Sequence, residues 1–117
     1  MDRLVESPAL ATHTQDRVIP TEQVLGIPIA VVDLAQAIEI IERFIQGDSP
    51  QLVVTANAIA AVMAHDDPAF ADEVRSAGLV TCDGAGTQWA LKRGGHENAA
   101  KVTGIDLLEQ LCRLSSD

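Results

Sequence analysis

The sequence is poor in aromatic residues, in positive charge and in cysteine, and each shortage excludes a class of function. Aromatic side chains account for 3% of the 117 residues, and tyrosine is absent. The chain therefore offers neither a stacking platform for nucleic-acid bases nor an aromatic carbohydrate-binding cleft. Any sugar site in this protein must rely on polar contacts.

Positive charge is scarce as well. Lysine and arginine total 8 against 17 aspartates and glutamates, which gives a net charge of −9. Such an excess of negative charge argues against a nucleic-acid backbone or an anionic membrane surface as the main partner. An isolated basic group that binds a single phosphate remains compatible with this charge.

The two cysteines, Cys82 and Cys112, do not suggest a metal or disulfide site. Neither has a Cys or His partner at the spacing of a zinc site, so both are predicted to be reduced thiols and no metal is expected. No apolar run approaches the roughly 20 residues of a membrane span, and the N-terminus lacks the basic-then-apolar order of a signal peptide. We therefore expect a cytoplasmic protein.

Hydrophobic residues make up 47% of the chain, enough for one compact domain with a small core. Residues 1–22 show no sustained periodicity and mix proline, threonine and charge, which predicts a flexible leader. Residues 23–117 are predicted to fold. Within them, residues 24–32 are apolar and β-branched, but Gly26 and Pro28 restrict this stretch to an edge strand or a short hairpin.

Two later apolar runs, residues 52–54 and 79–82, are too short for helices and are typical of parallel strands buried on both faces. Helical patterns surround them. The first begins at Asp33, which a glutamine three residues later completes as a capping box, and ends at Gly47.

Three further helical patterns follow, one between the two apolar runs and two after them. The first covers residues 58–77, and Asp67-Pro68 divides it by supplying an N-cap and a first-turn proline for a second segment. Residues 87–93 form the next helical pattern, and a helix capped by Thr103 is the last. Trp89 and Leu91 are expected in the core. Strands that alternate with helices predict an α/β fold, a Rossmann-like parallel sheet with flanking helices.

The predicted sheet contains only two or three parallel strands, whereas doubly wound sheets usually carry five or more. We therefore expect an incomplete sheet, the N-terminal half of a larger domain. In sheets of this kind, ligands bind outside the carboxyl ends of the strands. The residues that follow the two apolar runs are accordingly the candidates for a functional site.

Asp83 is the leading candidate, because it stands between a buried strand and a glycine-rich turn that a ligand can approach. A carboxylate there suits general-base catalysis. Gly84 and Gly86 remove side-chain bulk beside it, so a sugar or phosphate could approach backbone N–H groups at the next helix. The alternative is that Asp83 merely caps that helix, and residue preferences alone favour this alternative.

Thr55 and Asn57 follow the other strand, and their side chains point the same way in extended chain. Together they could bind the hydroxyls of a sugar; alternatively, Asn57 is a helix cap and Thr55 an ordinary strand residue. Lys101 precedes the Thr103 cap, so its charge and the helix N-terminus could bind a phosphate or an acceptor together. The alternative for Lys101 is a solvated side chain.

Nucleotide-binding fingerprints are not satisfied. Three residues after Gly86 the sequence has Trp89 where the Rossmann fingerprint needs a small residue, and no Walker-type Gly-Lys-Ser/Thr occurs. Dinucleotide and P-loop binding are therefore not predicted.

Four stretches taken together resemble the WecG/TagA/CpsF family of glycosyltransferases in order and in spacing, over about residues 24–117. They are Val24-Leu25-Gly26-Ile27-Pro28, Val54-Thr55-Ala56-Asn57, Asp83-Gly84-Ala85-Gly86 and Val102-Thr103-Gly104-Ile105-Asp106-Leu107.

This resemblance implies an inverting transferase. It would move a sugar, typically N-acetylmannosamine, from a UDP-sugar to N-acetylglucosamine on a polyprenyl diphosphate, in the biosynthesis of teichoic acid, exopolysaccharide and other cell-surface polymers. Asp83 would deprotonate the acceptor hydroxyl, Thr55 and Asn57 would hold the sugars, and Gly84 and Gly86 would give access. The scheme implies no metal cofactor.

The sequence departs from the family at one charged position and in length. Lys101 stands where the family usually has arginine, and a lysine keeps the charge but loses the bidentate fork. Longer members have a C-terminal part that supplies much of the nucleotide site and a peripheral membrane contact. The alternative function is therefore a truncated, non-catalytic binding or oligomerisation module of the same fold, and the residues leave homo-oligomer formation open.

Overall fold

A computed structural model describes residues 19–116. It has the predicted α/β class, with a small parallel sheet flanked by helices. In chain order the elements are β1 (Thr21–Val24), β2 (Ile27–Ala30), α1 (Leu34–Gln46), β3 (Val53–Ala56), α2 (Ala58–Asp66), α3 (Pro68–Arg75), β4 (Leu79–Cys82), α4 (Ala85–Arg93) and α5 (Gly104–Ser115).

The first two strands form an antiparallel hairpin, one of the two structures that the sequence predicted for this stretch. Leu25 and Gly26 connect them with φ of 50° and 87°. Positive φ at both central residues is the signature of a type I′ turn, whose twist matches that of the flanking strands. Leu25 adopts this conformation although it is not a glycine, and its side chain is exposed.

The folded structure begins earlier than the sequence predicted. β1 starts at Thr21, inside the range 1–22 predicted as a flexible leader, and Ile19 is buried in the core. Burial of Ile19 and the pairing of β1 with β2 hold this segment in the fold. A single buried apolar residue leaves no periodic signal in the sequence. The rest of the predicted leader, residues 1–18, lies outside the described residues.

β3 and β4 form the parallel pair, and the registers Val53↔Leu79 and Ala56↔Cys82 align the two strands from end to end. β4 is fully buried, as predicted, whereas β3 is half-buried except at Ala56. The prediction that both strands are fully buried is therefore confirmed for β4 and wrong for β3. The hairpin packs against the sheet through β2 and β4.

The helix boundaries follow from local capping. The side chain of Asp33 accepts a hydrogen bond from the backbone N–H of Gln36, and the Gln36 side chain accepts one from the Asp33 N–H, so the predicted capping box is confirmed. Asp67 caps α3 with Pro68 in its first turn, and Thr103 caps α5. No helix within residues 19–116 is long and apolar enough to cross a membrane.

The core is divided between two clusters. One is built from β2, the end of β4, α2 and α3, and includes Leu91 of α4. The other is built mainly from α1 and includes Leu79, Val102 and Leu107. Leu91 is 1% exposed, as predicted, but Trp89 is 65% exposed, so the prediction of Trp89 as a core residue was wrong.

Candidate functional site

The parallel register of β3 and β4 places the candidate residues at one edge of the sheet. Thr55 lies opposite Thr81 and Ala56 opposite Cys82. Asn57 and Asp83 are therefore the first residues beyond the two strand ends. The Asp83 N–H donates a hydrogen bond of 3.0 Å to the carbonyl oxygen of Ala56, which extends the ladder by one residue.

The Asp83 carboxylate does not cap the helix that follows it. The N-cap of α4 is Gly84, and within the described residues it has no side-chain cap. Oδ2 of Asp83 instead accepts a hydrogen bond from the backbone N–H of Gly104, at 3.3 Å. Asp83 is half-buried. The alternative that this residue merely caps its own helix is therefore wrong.

Gly84 has a backbone conformation that only glycine adopts readily. Its φ of 100° and ψ of 162° lie in a region essentially reserved for glycine. A Cβ placed on Gly84 would lie 3.7 Å from the Cβ of Asn57, and one on Gly86 would lie 3.2 Å from the Cβ of Ala58. The first turns of α2 and α4 are therefore in close contact beside Asp83.

Thr55 lies against the start of α5. A Cβ placed on Gly104 would be 3.6 Å from both Cγ2 and Oγ1 of Thr55. Because the Gly104 N–H also binds the Asp83 carboxylate, Thr55 and Asp83 meet at the same helix N-terminus. The structure thus brings these two sequence-predicted residues together.

Asn57 is the N-cap of α2, and its Oδ1 accepts a hydrogen bond of 2.9 Å from the Ala60 N–H. The cap interpretation of Asn57 is confirmed. The side chain is exposed, and its amide nitrogen takes no part in the cap. Asn57 can therefore stabilise α2 and present an N–H donor at the site with the same side chain.

Lys101 is exposed and lies on the segment that leads into α5. The next residue, Val102, is fully buried and donates its N–H to the Cys82 carbonyl at 2.6 Å. The Lys101 ammonium is close enough to lower the pKa of Cys82 in part. The predicted residues Thr55, Asn57, Asp83, Gly84 and Gly86 thus lie along one edge, with Lys101 beside the end of β4.

Cys82 has the one resolved shift in pKa among the described residues. Burial, and then the negative charge of Asp83, raise the pKa of the thiol to about 11, against the opposing charge of Lys101. Cys82 is therefore a protonated thiol at neutral pH, unsuited to nucleophilic attack. The free thiol predicted for Cys82 is confirmed, as is that of Cys112, which is exposed.

Sequence reasoning missed three residues that shape the site. Gly104 donates to Asp83 from 21 positions away. Thr81 and Thr87 are the buried polar residues of the described chain, and they donate to the carbonyl oxygens of Val102 and Ala56. A threonine in an apolar strand or helix gives no sign of which carbonyl it will bind, so only the tertiary structure reveals these bonds.

The residues around the site do not group into a metal centre. Across the part of the chain that the structure describes, no three His, Cys, Asp or Glu side chains lie close enough together to hold a metal ion.

Comparison with known proteins assigns a family to this arrangement. Residues 22–117 match the model of the family described as Glycosyl transferase WecG/TagA/CpsF family. The match contains all of the site residues described above, and the resemblance carried by the four motifs is confirmed. A search among curated proteins finds no match.

Proposed function

The chain belongs to the WecG/TagA/CpsF family of glycosyltransferases, and we propose that Asp83 is the catalytic base of an inverting sugar transfer at the carboxyl ends of β3 and β4. Family membership supplies the general reaction, in which a sugar passes from a nucleotide-sugar donor to a sugar acceptor. The observation that carries the proposal is the Asp83 carboxylate, which stands at a strand end and is not used to cap its own helix.

The proposed step begins with an acceptor hydroxyl beside Asp83. One carboxylate oxygen takes the proton of this hydroxyl while the hydroxyl oxygen of the acceptor attacks the anomeric carbon of the donor sugar. The new carbon–oxygen bond forms on the face opposite the leaving group, so the configuration inverts. The bond from the anomeric carbon to the phosphate oxygen breaks, and the nucleoside diphosphate leaves with both bonding electrons.

The contact with Gly104 fixes the orientation of this base. One oxygen, Oδ2, accepts the backbone N–H at 3.3 Å, and the side chain remains half-buried. A carboxylate held by one oxygen loses less conformational freedom when the acceptor binds, which is how positioning contributes to rate. We propose that Thr55, which lies against the same glycine, holds the sugar whose hydroxyl reacts.

Charge at this edge suits a diphosphate. The first turn of α4 has no side-chain cap within the described residues, which supports the binding of an anion by its N–H groups. Lys101 adds a cation next to the end of β4. As proposed, the scheme needs no metal cofactor, because N–H groups and a lysine offset the leaving-group charge.

The finer assignment follows the family resemblance. We propose UDP-N-acetylmannosamine as donor and a polyprenyl-diphosphate-linked N-acetylglucosamine as acceptor, in cell-surface polysaccharide biosynthesis. This places the protein in the cytoplasm, in peripheral contact with the inner face of the membrane. A screen of UDP-sugars against a lipid-diphosphate acceptor analogue tests both halves. The proposal requires UDP-N-acetylmannosamine to be the fastest donor, and a faster transfer from another UDP-sugar contradicts the donor; no transfer to the analogue from any UDP-sugar contradicts the acceptor.

Asp83→Asn tests the role of the base. The amide oxygen retains the hydrogen bond from Gly104 but cannot take a proton, so we expect the rate of sugar transfer to fall by about 10²- to 10⁴-fold with little change in thermal stability. Asp67→Asn is the matched control, because Asp67 caps α3 and asparagine is an equally good cap. This variant should keep full activity. Undiminished transfer by Asp83→Asn removes Asp83 from the mechanism, whereas no transfer by the unmodified protein favours the non-catalytic module.

A further inference from the structure

We propose that the buried hydroxyl of Thr87 is a positioning residue that sets the distance between the two strand ends of the site. The inference rests on the proposed function, because it concerns how Asp83 is placed relative to Thr55 and Asn57. Thr87 lies in the first turn of α4, and its side chain is 2% exposed.

The hydroxyl makes an unusual choice of acceptor. A threonine inside a helix ordinarily donates to the carbonyl one turn back along the same helix. That carbonyl belongs to Asp83 and lies 3.4 Å from Oγ1, whereas the carbonyl of Ala56, on the neighbouring strand, lies at 3.0 Å. A hydroxyl has one proton to donate, and the shorter distance assigns it to Ala56.

The Ala56 carbonyl is consequently a junction between the two halves of the site. It accepts the Asp83 N–H at 3.0 Å and the Thr87 hydroxyl at 3.0 Å, which uses both of its lone pairs. The same carbonyl belongs to the peptide bond that leads into Asn57. The orientation of the Ala56 carbonyl therefore sets the position of Asn57 after β3. The hydrogen bond from the Asp83 N–H to the same carbonyl sets the position of Asp83 after β4.

Burial gives this junction its rigidity. Ala56 is fully buried and Thr87 nearly so, so water cannot replace the lost donor, and a carbonyl lone pair without its partner is costly in such surroundings. Loss of the hydroxyl should let the two strand ends shift relative to each other without unfolding the domain, because the Asp83 N–H bond remains. Small displacements of this kind reduce catalysis strongly when they separate a base from its substrate.

Thr87→Val and Thr87→Ser distinguish positioning from packing. Valine fills the same volume without a donor, whereas serine keeps the hydroxyl and loses a methyl group. We expect Thr87→Val to lower kcat for sugar transfer by about 10- to 100-fold and Thr87→Ser to stay within about three-fold of the unmodified protein. Equal kcat in Thr87→Val and the unmodified protein would overturn the inference.

Leu91→Val is the matched control for stability. Leu91 is 1% exposed on the same helix, so its truncation destabilises the fold without touching the hydroxyl. If Leu91→Val and Thr87→Val have the same melting temperature and the same loss of kcat, the effect of Thr87 is general destabilisation and the inference is wrong. A loss of kcat confined to Thr87→Val supports it.

A second measurement separates this inference from the proposed function. Hydrogen exchange of the Asp83 amide, followed by NMR, should accelerate in Thr87→Val but not in Thr87→Ser. The Val31 amide, which donates to the Pro20 carbonyl in the hairpin region, serves as the internal reference. If the unmodified protein transfers no sugar, the proposed function fails alone, and unchanged Asp83 exchange in Thr87→Val is then the result that overturns the positioning role.

Discussion

The chain contains two strand–turn–helix units side by side, β3–α2 and β4–α4, and they use the polar residue after the strand differently. In β3–α2, Asn57 caps the helix that follows it. In β4–α4, the corresponding residue, Asp83, is followed by a glycine that occupies the N-cap, and its carboxylate reaches the neighbouring helix α5 instead. The N-cap is thus the polar residue itself in β3–α2 but the residue after it in β4–α4. This offset of one residue leaves the Asp83 carboxylate uncommitted to its own helix.

The comparison shows what a glycine N-cap contributes. The φ of 100° at Gly84 turns the chain so that the residue before it points away from the first turn of α4. The side-chain oxygen of Asn57, by contrast, is committed to the Ala60 N–H. The turn at Gly84 thus keeps the Asp83 carboxylate off the first turn of α4, and one of its oxygens binds the first residue of α5 instead.

The largest effect on this comparison is expected from Gly84→Ala. A Cβ at this φ and ψ costs about 1–3 kcal/mol in backbone strain, and relief of the strain would rotate Asp83 away from Gly104. We expect a lower free energy of unfolding in urea and a loss of sugar transfer. Gly95→Ala is the control, because Gly95 has a φ of 104° with open space around it and lies away from the strand ends. Equal activity of Gly84→Ala and the unmodified protein would show that the turn does not govern Asp83.

A second difference between the units lies in their last strand residues, since Ala56 pairs with Cys82 and only the cysteine titrates. Burial holds the Cys82 pKa at about 11, above the usual 9.0. Between pH 9 and pH 11 the Cys82 thiol is deprotonated in the unfolded chain but still protonated in the folded one, so the free energy of unfolding falls as pH rises. The loss should be on the order of 1 kcal/mol by pH 10 and absent below pH 8.

Denaturant titrations at pH 8 and pH 10 measure this loss. Cys82→Ala makes the end of β4 identical to that of β3, and its stability should change less between the two pH values. Cys112→Ala is the control, because this thiol is exposed, and it should retain the full pH dependence. The same pH dependence in Cys82→Ala would assign the effect to other groups.

Asn57→Ala tests the capped unit. Loss of the bond to Ala60 should cost about 1 kcal/mol of stability, in the usual range for a helix N-cap. Asn57→Asp keeps an oxygen acceptor and should recover most of that stability, as measured by urea denaturation. If alanine is as stable as asparagine, the side chain of Asn57 is not stabilising α2, and the contrast with Asp83 disappears.

Local signals made much of this fold predictable from the sequence. The capping pair Asp33 and Gln36 and the cap Thr103 act over three or four residues, so they can be recognised without tertiary structure. The two parallel strands were predicted from local signals too, since apolar runs of three or four residues bounded by turns are too short for helices. These local elements in turn placed Thr55 and Asp83 at one sheet edge.

Contacts that depend on how helices pack were not predictable. The bond from Gly104 to Asp83 spans 21 positions, and it forms because the first residue of α5 lies beside the end of β4. Trp89 illustrates the opposite error, in which hydrophobicity was taken as burial. Thr87 and Leu91 lie four residues apart on the buried face of α4, whereas Trp89, about 200° around the helix from each of them, faces outward.

The smallest effect on stability is expected from removing the contact between the β4–α4 unit and the hairpin. His96 Nε2 lies 2.8 Å from Oε1 of Glu22, and both side chains are about one-third exposed, at 35% and 34%. A double-mutant cycle with Glu22→Ala and His96→Ala should give a coupling energy under about 1 kcal/mol, because solvent screens a pair this exposed. The Arg113–Glu109 pair of α5 is more exposed and should couple more weakly. No measurable coupling between Glu22 and His96 would show that the hairpin contact does not stabilise β4–α4, and that this unit differs from β3–α2 at the strand end alone.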